Sequence, residues 1–143
     1  MIVPERYAKW IGLPYRDKGR GPDAYDCWGG ARAVLQSEFG LVLPDYLDAY
    51  TSSNDGDSVA SAVASGLRDG WTAVQIPREG DLLILRIAAR PWHCGVMVNE
   101  RMFLHWPPVS TKGVQQLSCV ERLDSFQWAR RIDGVYRYRN QAA

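Results

Sequence analysis

The sequence predicts an α+β domain built on an antiparallel sheet, and three observations predict it. Apolar residues recur with helical spacing only in the first half of the chain. The second half carries short apolar or alternating runs bounded by turn residues. The connections between those runs are too short to hold crossover helices, so neighbouring strands run antiparallel. With 143 residues, 46% hydrophobic and 23% charged, the chain suits one globular domain spanning 1–143. It shows no internal repeat and no low-complexity tract.

Residues 4–12 read as a short helix, with Pro4 in the first turn and Tyr7, Trp10 and Ile11 on one face. Gly12-Leu13-Pro14-Tyr15 breaks it, and a charged loop follows over 16–24. The next helix runs from Cys27 to about Phe39, with Ala31, Val34, Leu35 and Phe39 on the 3.6-residue period and Gly40 as its stop. Leu41-Val42-Leu43-Pro44 leaves it in extended form, since a residue before proline avoids the helical region. After a loop at 51–57, Asp57 is the expected N-cap of a second helix bearing Val59, Ala60, Val63 and Leu67, closed by Gly70. The predicted strands are Trp71–Ile76, Leu82–Ile87, His93–Val98, Met102–Trp106, Gly113–Cys119 and Gly134–Arg139. Pro77–Asp81 and Asn99-Glu100-Arg101 serve as turns.

The chemistry gathers where the loop meets the second of these helices, in Tyr25-Asp26-Cys27-Trp28-Gly29-Gly30. A cysteine in the first turn of a helix lies among free N–H groups and at the positive end of the helix dipole, which favour the thiolate, the nucleophilic form. Cysteine is also a common buried residue, so a nucleophile requires a base and a group that orients the base. The two histidines, His93 and His105, fall on predicted strands and fit those roles. A zinc site on His93 and Cys94 is disfavoured, because adjacent strand residues point to opposite faces. Cys94 and Cys119 read as small hydrophobes, and neither a metal nor another cofactor is expected.

A net charge of +1 gives no electrostatic case for nucleic acid or an anionic membrane as partner. No stretch approaches the ~18 apolar residues of a transmembrane helix, so no membrane insertion is expected. Met1–Tyr7 lacks the basic and apolar regions of a signal peptide, and three cysteines without zinc-ribbon spacing suit a reducing compartment. The expectation is cytoplasmic synthesis without a signal peptide.

Taken in order, Leu13-Pro14-Tyr15, the loop 18–23, Asp26-Cys27-Trp28-Gly29, Arg78-Glu79-Gly80-Asp81, His93-Cys94-Gly95-Val96 and Phe103-Leu104-His105-Trp106 resemble the NlpC family of papain-like bacterial cysteine endopeptidases. The resemblance implies a papain-like fold with Cys27 as nucleophile, His93 as general base and His105 as the third residue. It implies that Tyr15 assists the oxyanion site, and that Asp26 is a structural or substrate-orienting group. The implied substrate is a peptidoglycan stem peptide, cut between γ-D-Glu and a diamino acid. Trp28 stands where the family has a small serine and would narrow the substrate groove, and Gly30 stands where an aliphatic residue is common. Asp-Cys-Trp-Gly is similar to the variant in phage and prophage tail proteins, which implies virion association, or signal-free release, and tail-tip partners. Two other readings stay open: a structural tail-assembly protein with little activity, and a papain-like amidase or acyltransferase.

The resemblance demands that His93 and His105 share a sheet face. Placing them directly opposite centres the hairpin on Asn99, with an odd-numbered loop Val98-Asn99-Glu100 and a left-handed Asn99 or Glu100. A two-residue loop would send His93 to the other face. The two rings are expected within hydrogen-bond reach, with Cys27 beyond His93.

Overall fold

A computed structural model describes residues 2–53, 55–108 and 116–139. Two α-helices, α1 (Cys27–Phe39) and α2 (Gly56–Leu67), follow a 3₁₀ turn at Glu5–Trp10. Six strands come after them: β1 (Trp71–Val74), β2 (Leu82–Ile87), β3 (Arg90–Met97), β4 (Met102–His105), β5 (Cys119–Arg122) and β6 (Ile132–Tyr138). They form one antiparallel sheet in the order β1-β6-β2-β3-β4-β5. The α+β expectation therefore holds. Among the described residues no helix is long and apolar enough to cross a membrane.

Both ends of α1 carry their own stop chemistry. Asp26 caps the start by accepting from Gly29 N–H at 2.7 Å. At the other end Gly40 adopts φ 69°, and Gly40 N–H and Leu41 N–H reach back to Gln36 and Leu35 carbonyls in a Schellman closure. The helix buries Ala31, Val34 and Leu35 against the sheet. Gly30 explains itself here: a Cβ on it would lie 2.1 Å from the ring of the fully buried Trp106.

The helix start at Asp57 is corrected to Asp55, whose side chain accepts from Ser58 N–H at 3.3 Å. Asp57 lies inside the first turn and pairs instead with Arg90 at 2.7 Å. α2 ends at Leu67, and Gly70 (φ 88°) turns the chain into β1. β1 stops at Val74, opposite Val135, and Ile76 is exposed. β3 begins at Arg90, three residues before the expected start. Ala88 and Ala89, both with positive φ (53° and 66°), make a tight two-residue turn that pairs Ile87 with Arg90. β5 begins at Cys119, where the expected strand ended. Residues 113–115 of that expectation lie outside the described residues, and Leu117 makes an isolated bridge to Pro14. β6 starts at Ile132, two residues early.

β2 and β3 are central and buried on both faces, so they read as continuous apolar runs. The even-numbered face, with Leu82, Ile84, Cys94, Val96, Leu104 and Trp106, packs on α1 and α2. The odd face, with Leu83, Leu85, Met97, Phe103 and Val135, packs with Trp128. Asp81 is buried; its two oxygens take Arg137 Nε and Nη2 at 2.8 and 2.7 Å, tying the Gly80-Asp81 turn to β6.

In the β3–β4 hairpin Val96 faces Leu104 and Met97 faces Phe103, so the turn centres on Glu100 rather than Asn99. The loop is Asn99-Glu100-Arg101. Neither Asn99 nor Glu100 is left-handed, because Asn99 Oδ1 accepts from both Arg101 N–H and Met102 N–H at 2.8 Å and makes the turn itself. The register continues to Gly95 opposite His105, two residues from His93. A shift of two keeps parity, so both imidazoles stay on one face.

Candidate active site

Asp26 anchors the nucleophile end. It is 1% exposed, and its carboxylate accepts from Gly29 N–H, Arg20 Nη1 (2.9 Å), Ser53 Oγ (2.9 Å) and the Tyr50 hydroxyl. Arg20 also donates to the carbonyls of Gly19 and Asp45 and to the Tyr50 oxygen. The loop before the helix passes so close that a Cβ on Gly29 would lie 2.0 Å from the Gly19 carbonyl. Every donor on Asp26 thus comes from the protein.

Cys27 takes the first helical position. β4 ends opposite Gly95, short of the backbone of Trp92, His93 and Cys94, and α1 packs against β3. Cys27 Sγ sits 4.0 Å from the Trp92 carbonyl, against both the Cys94 thiol and the His93 ring. A hydrogen bond from Cys94, followed by that of His93, outweighs burial and pulls the Cys27 pKa down to about 6. Cys94 is pushed well above its ordinary value, chiefly because it donates to that thiolate.

His93 Nε2 and His105 Nδ1 are 2.7 Å apart, and both rings are buried. Gly95 makes room for this diagonal contact: a Cβ there would meet Phe103, the Leu104 carbonyl and His105 at 3.0–3.2 Å. His93 Nδ1 has no hydrogen-bond partner of its own and is the nitrogen left for Cys27. Burial lowers the pKa of both histidines, so each is readily held neutral. The chain of contacts continues: His105 Nε2 lies 2.5 Å from Glu121 Oε2, which also accepts from Trp128 Nε1 at 2.8 Å. Trp128 stacks on His93 and meets His105 edge-on.

His105, Cys119 and Glu121 carry donor atoms within 4.8 Å of one another. Ligands of a tetrahedral zinc with bonds of ~2.0–2.1 Å sit roughly 3.3 Å apart. The shorter His105–Glu121 contact has the geometry of a hydrogen bond.

Tyr15 is buried beside Cys27. Burial and then the Cys27 charge push its hydroxyl pKa up, so it remains a proton donor. Trp28 is half-buried, donates Nε1 to the Pro44 carbonyl at 3.1 Å and tilts onto Tyr46. With Cys27, Trp71, Trp92, Val59 and Ile84 it lines an apolar cavity of about 50 Å³. The sequence reading missed Arg20, Tyr50, Ser53, Cys94, Glu121 and Trp128. Arg20 alone had a local signal, the charge in the turn-rich loop.

An antiparallel sheet carrying imidazoles against a helix that opens with cysteine defines a papain-like α+β fold. The NlpC/P60 family model matches residues 12–137, and the chain belongs to that family of cysteine peptidases and peptidoglycan hydrolases. It is similar to the crystal structure of the NlpC/p60 domain of the peptidoglycan hydrolase SagA. The TM-score is 0.57 at 21% identity, covering 90% of each chain. It is also similar to NlpC1 from Trichomonas vaginalis, with a TM-score of 0.51 at 20% identity, covering 91% of this chain and 40% of that one. In sequence it is 32% identical over 88 residues to tail tip assembly protein K of Escherichia phage N15. That match takes in 57% of this chain and spans about a third, 34%, of the phage protein.

Proposed function

We propose that this chain is a cysteine endopeptidase that hydrolyses peptide bonds of bacterial peptidoglycan as a single domain in a phage or prophage tail. The observation that carries the reading is the continuous contact from the Cys27 thiolate through His93 to His105, whose nitrogens lie 2.7 Å apart. Cys27 attacks the scissile carbonyl carbon. The oxyanion forms at the α1 N-terminus, within reach of its free N–H groups and of the Tyr15 hydroxyl. His93 Nδ1, which took up the Cys27 thiol proton, gives that proton to the leaving amine as the C–N bond breaks, leaving a thioester on Cys27. Neutral His93 then takes a proton from water, which attacks the thioester and releases the acid. Asp26 acts as scaffold: its four protein donors leave no role for it as a substrate ligand. Trp28 narrows the groove beside the nucleophile.

Stem peptides cut between γ-D-Glu and a diamino acid are the proposed substrate, and tail-tip proteins the proposed partners. Digestion of purified peptidoglycan with mass analysis of the released peptides tests this; Cys27→Ala should remove the products and keep the fold. The likeness to a tail tip assembly protein favours a second reading, in which the domain is a structural part of a tail. It predicts no released peptides and no effect of Cys27→Ala on tail function.

A further inference from the structure

We propose that Glu121 is a positioning residue that sets the tautomers of both imidazoles from the far end of their hydrogen-bonded chain. The inference rests on the peptidase reading and adds a member that it does not require.

The logic is one of directions. An ionised carboxylate can only accept, so Glu121 Oε2 requires a proton on His105 Nε2. A neutral His105 protonated there must present a lone pair at Nδ1. His93 Nε2, 2.7 Å away, must then donate, which puts the neutral His93 proton on Nε2 and leaves the lone pair on Nδ1, toward Cys27. One carboxylate thus makes His93 a base on the side where a base is needed. Trp128 Nε1 holds the same Glu121 oxygen at 2.8 Å, and its ring packs on both histidines, so the acceptor cannot swing away.

Strand register puts Glu121 there. Cys119 stands opposite His105 and Glu121 opposite Phe103, so Glu121 reaches His105 along the same diagonal by which His105 reaches His93. The titratable groups facing this chain are Cys119 from β5, and Cys27, Cys94, Tyr15 and Asp26 around the thiolate. The His105 hydrogen bond holds the Glu121 carboxyl below its usual range, so it is ionised at neutral pH.

Without Glu121 the proton on His105 is free to move to Nδ1. His93 must then accept at Nε2 and carry its neutral proton on Nδ1, facing Cys27, where it can no longer act as base. In a serine-protease triad the wrong tautomer costs ~10⁴ in kcat. One residue further out, we expect Glu121→Ala to lose about 10–100-fold in kcat with KM little changed. The Cys27 alkylation profile, read by mass spectrometry with iodoacetamide, should move to lower pH, because the Nδ1 proton then donates to the thiolate. Glu121→Gln keeps an acceptor in place and should recover most of the loss. An alkylation profile that Glu121→Ala leaves unshifted overturns the proposal, even where the melting temperature falls. A Gln variant as impaired as Ala also overturns it. The alkylation arm needs no peptidoglycan: a wild-type chain that releases no peptides refutes the proposed function and leaves the tautomer test intact.

Discussion

Removing the Asp26 carboxylate tests how the nucleophile is held. Asp26→Ala takes the N-cap from α1, which costs about 1 kcal/mol. It also strands the Arg20 guanidinium, whose side chain is 13% exposed and which loses its ion pair with Asp26. Breaking a buried pair costs about 3–5 kcal/mol. Arg20 keeps its hydrogen bonds to Asp45, Gly19 and Tyr50, so the lower end of that range, or somewhat less, applies. The expected total is about 3–4 kcal/mol, a large part of the ~5–15 kcal/mol that a domain of this size holds. Asp26→Asn keeps an oxygen for Gly29 N–H and loses only the charge, so it should cost about 2 kcal/mol. Urea unfolding of Asp26→Asn, Arg20→Met and the double variant gives the coupling energy, expected at 1 kcal/mol or more by the same reasoning. A loss under about 1 kcal/mol in Asp26→Ala, or additive single variants, would refute the scaffold account. A raised KM at wild-type stability would instead make Asp26 a substrate ligand.

Five further outcomes are expected. The thiolate is the reactive form, so Cys27 alkylation should rise with pH through about 6, whereas Cys119, pushed up to about 12 by burial, reacts slowly. Cys94→Ala removes the leading donor to the thiolate and should move that midpoint up by ~1 unit or more, while Cys94→Ser should not. Gly30→Ala drives a Cβ into the Trp106 ring and should cost ~1–3 kcal/mol by denaturation, with partial rescue by Trp106→Leu. Asn-Gly in place of Ala88-Ala89 suits two positive-φ positions and should raise stability by about 1 kcal/mol. In peptidoglycan digestion His105→Ala should lose less activity than His93→Ala, because it misaligns the base without removing it.

What the sequence showed depended on how local the physics was. The α1 helix was legible end to end because Asp26, Cys27 and Gly40 carry its start and stop on the chain itself. The start of α2 was misplaced because Asp55 and Asp57 both suit an N-cap; Asp55 caps the helix, and Asp57, inside the first turn, pairs with Arg90. The early start of β3 was hidden because Ala88-Ala89 carries no turn signature; the sheet imposes its left-handed backbone. The face shared by His93 and His105 was predictable from parity, while the register depended on the Asn99 side chain. Glu121 was invisible: it lies 16 residues past His105, and only the β4–β5 pairing brings the two together.

The place of β6 in the sheet has a consequence for when the site comes into being. Ile132–Tyr138 lies between β1 and β2, so the last strand among the described residues inserts at an interior position and does not add to an edge. During synthesis Cys27, His93, His105 and Glu121 all emerge before it. The β2–β3–β4 meander can form early from local contacts, but β1 has no sheet partner until β6 arrives, and β2 presents an open edge. Closure of the sheet is therefore a late, non-local event, which follows the emergence of α1 and β3, whose packing brings Cys94 and His93 to Cys27.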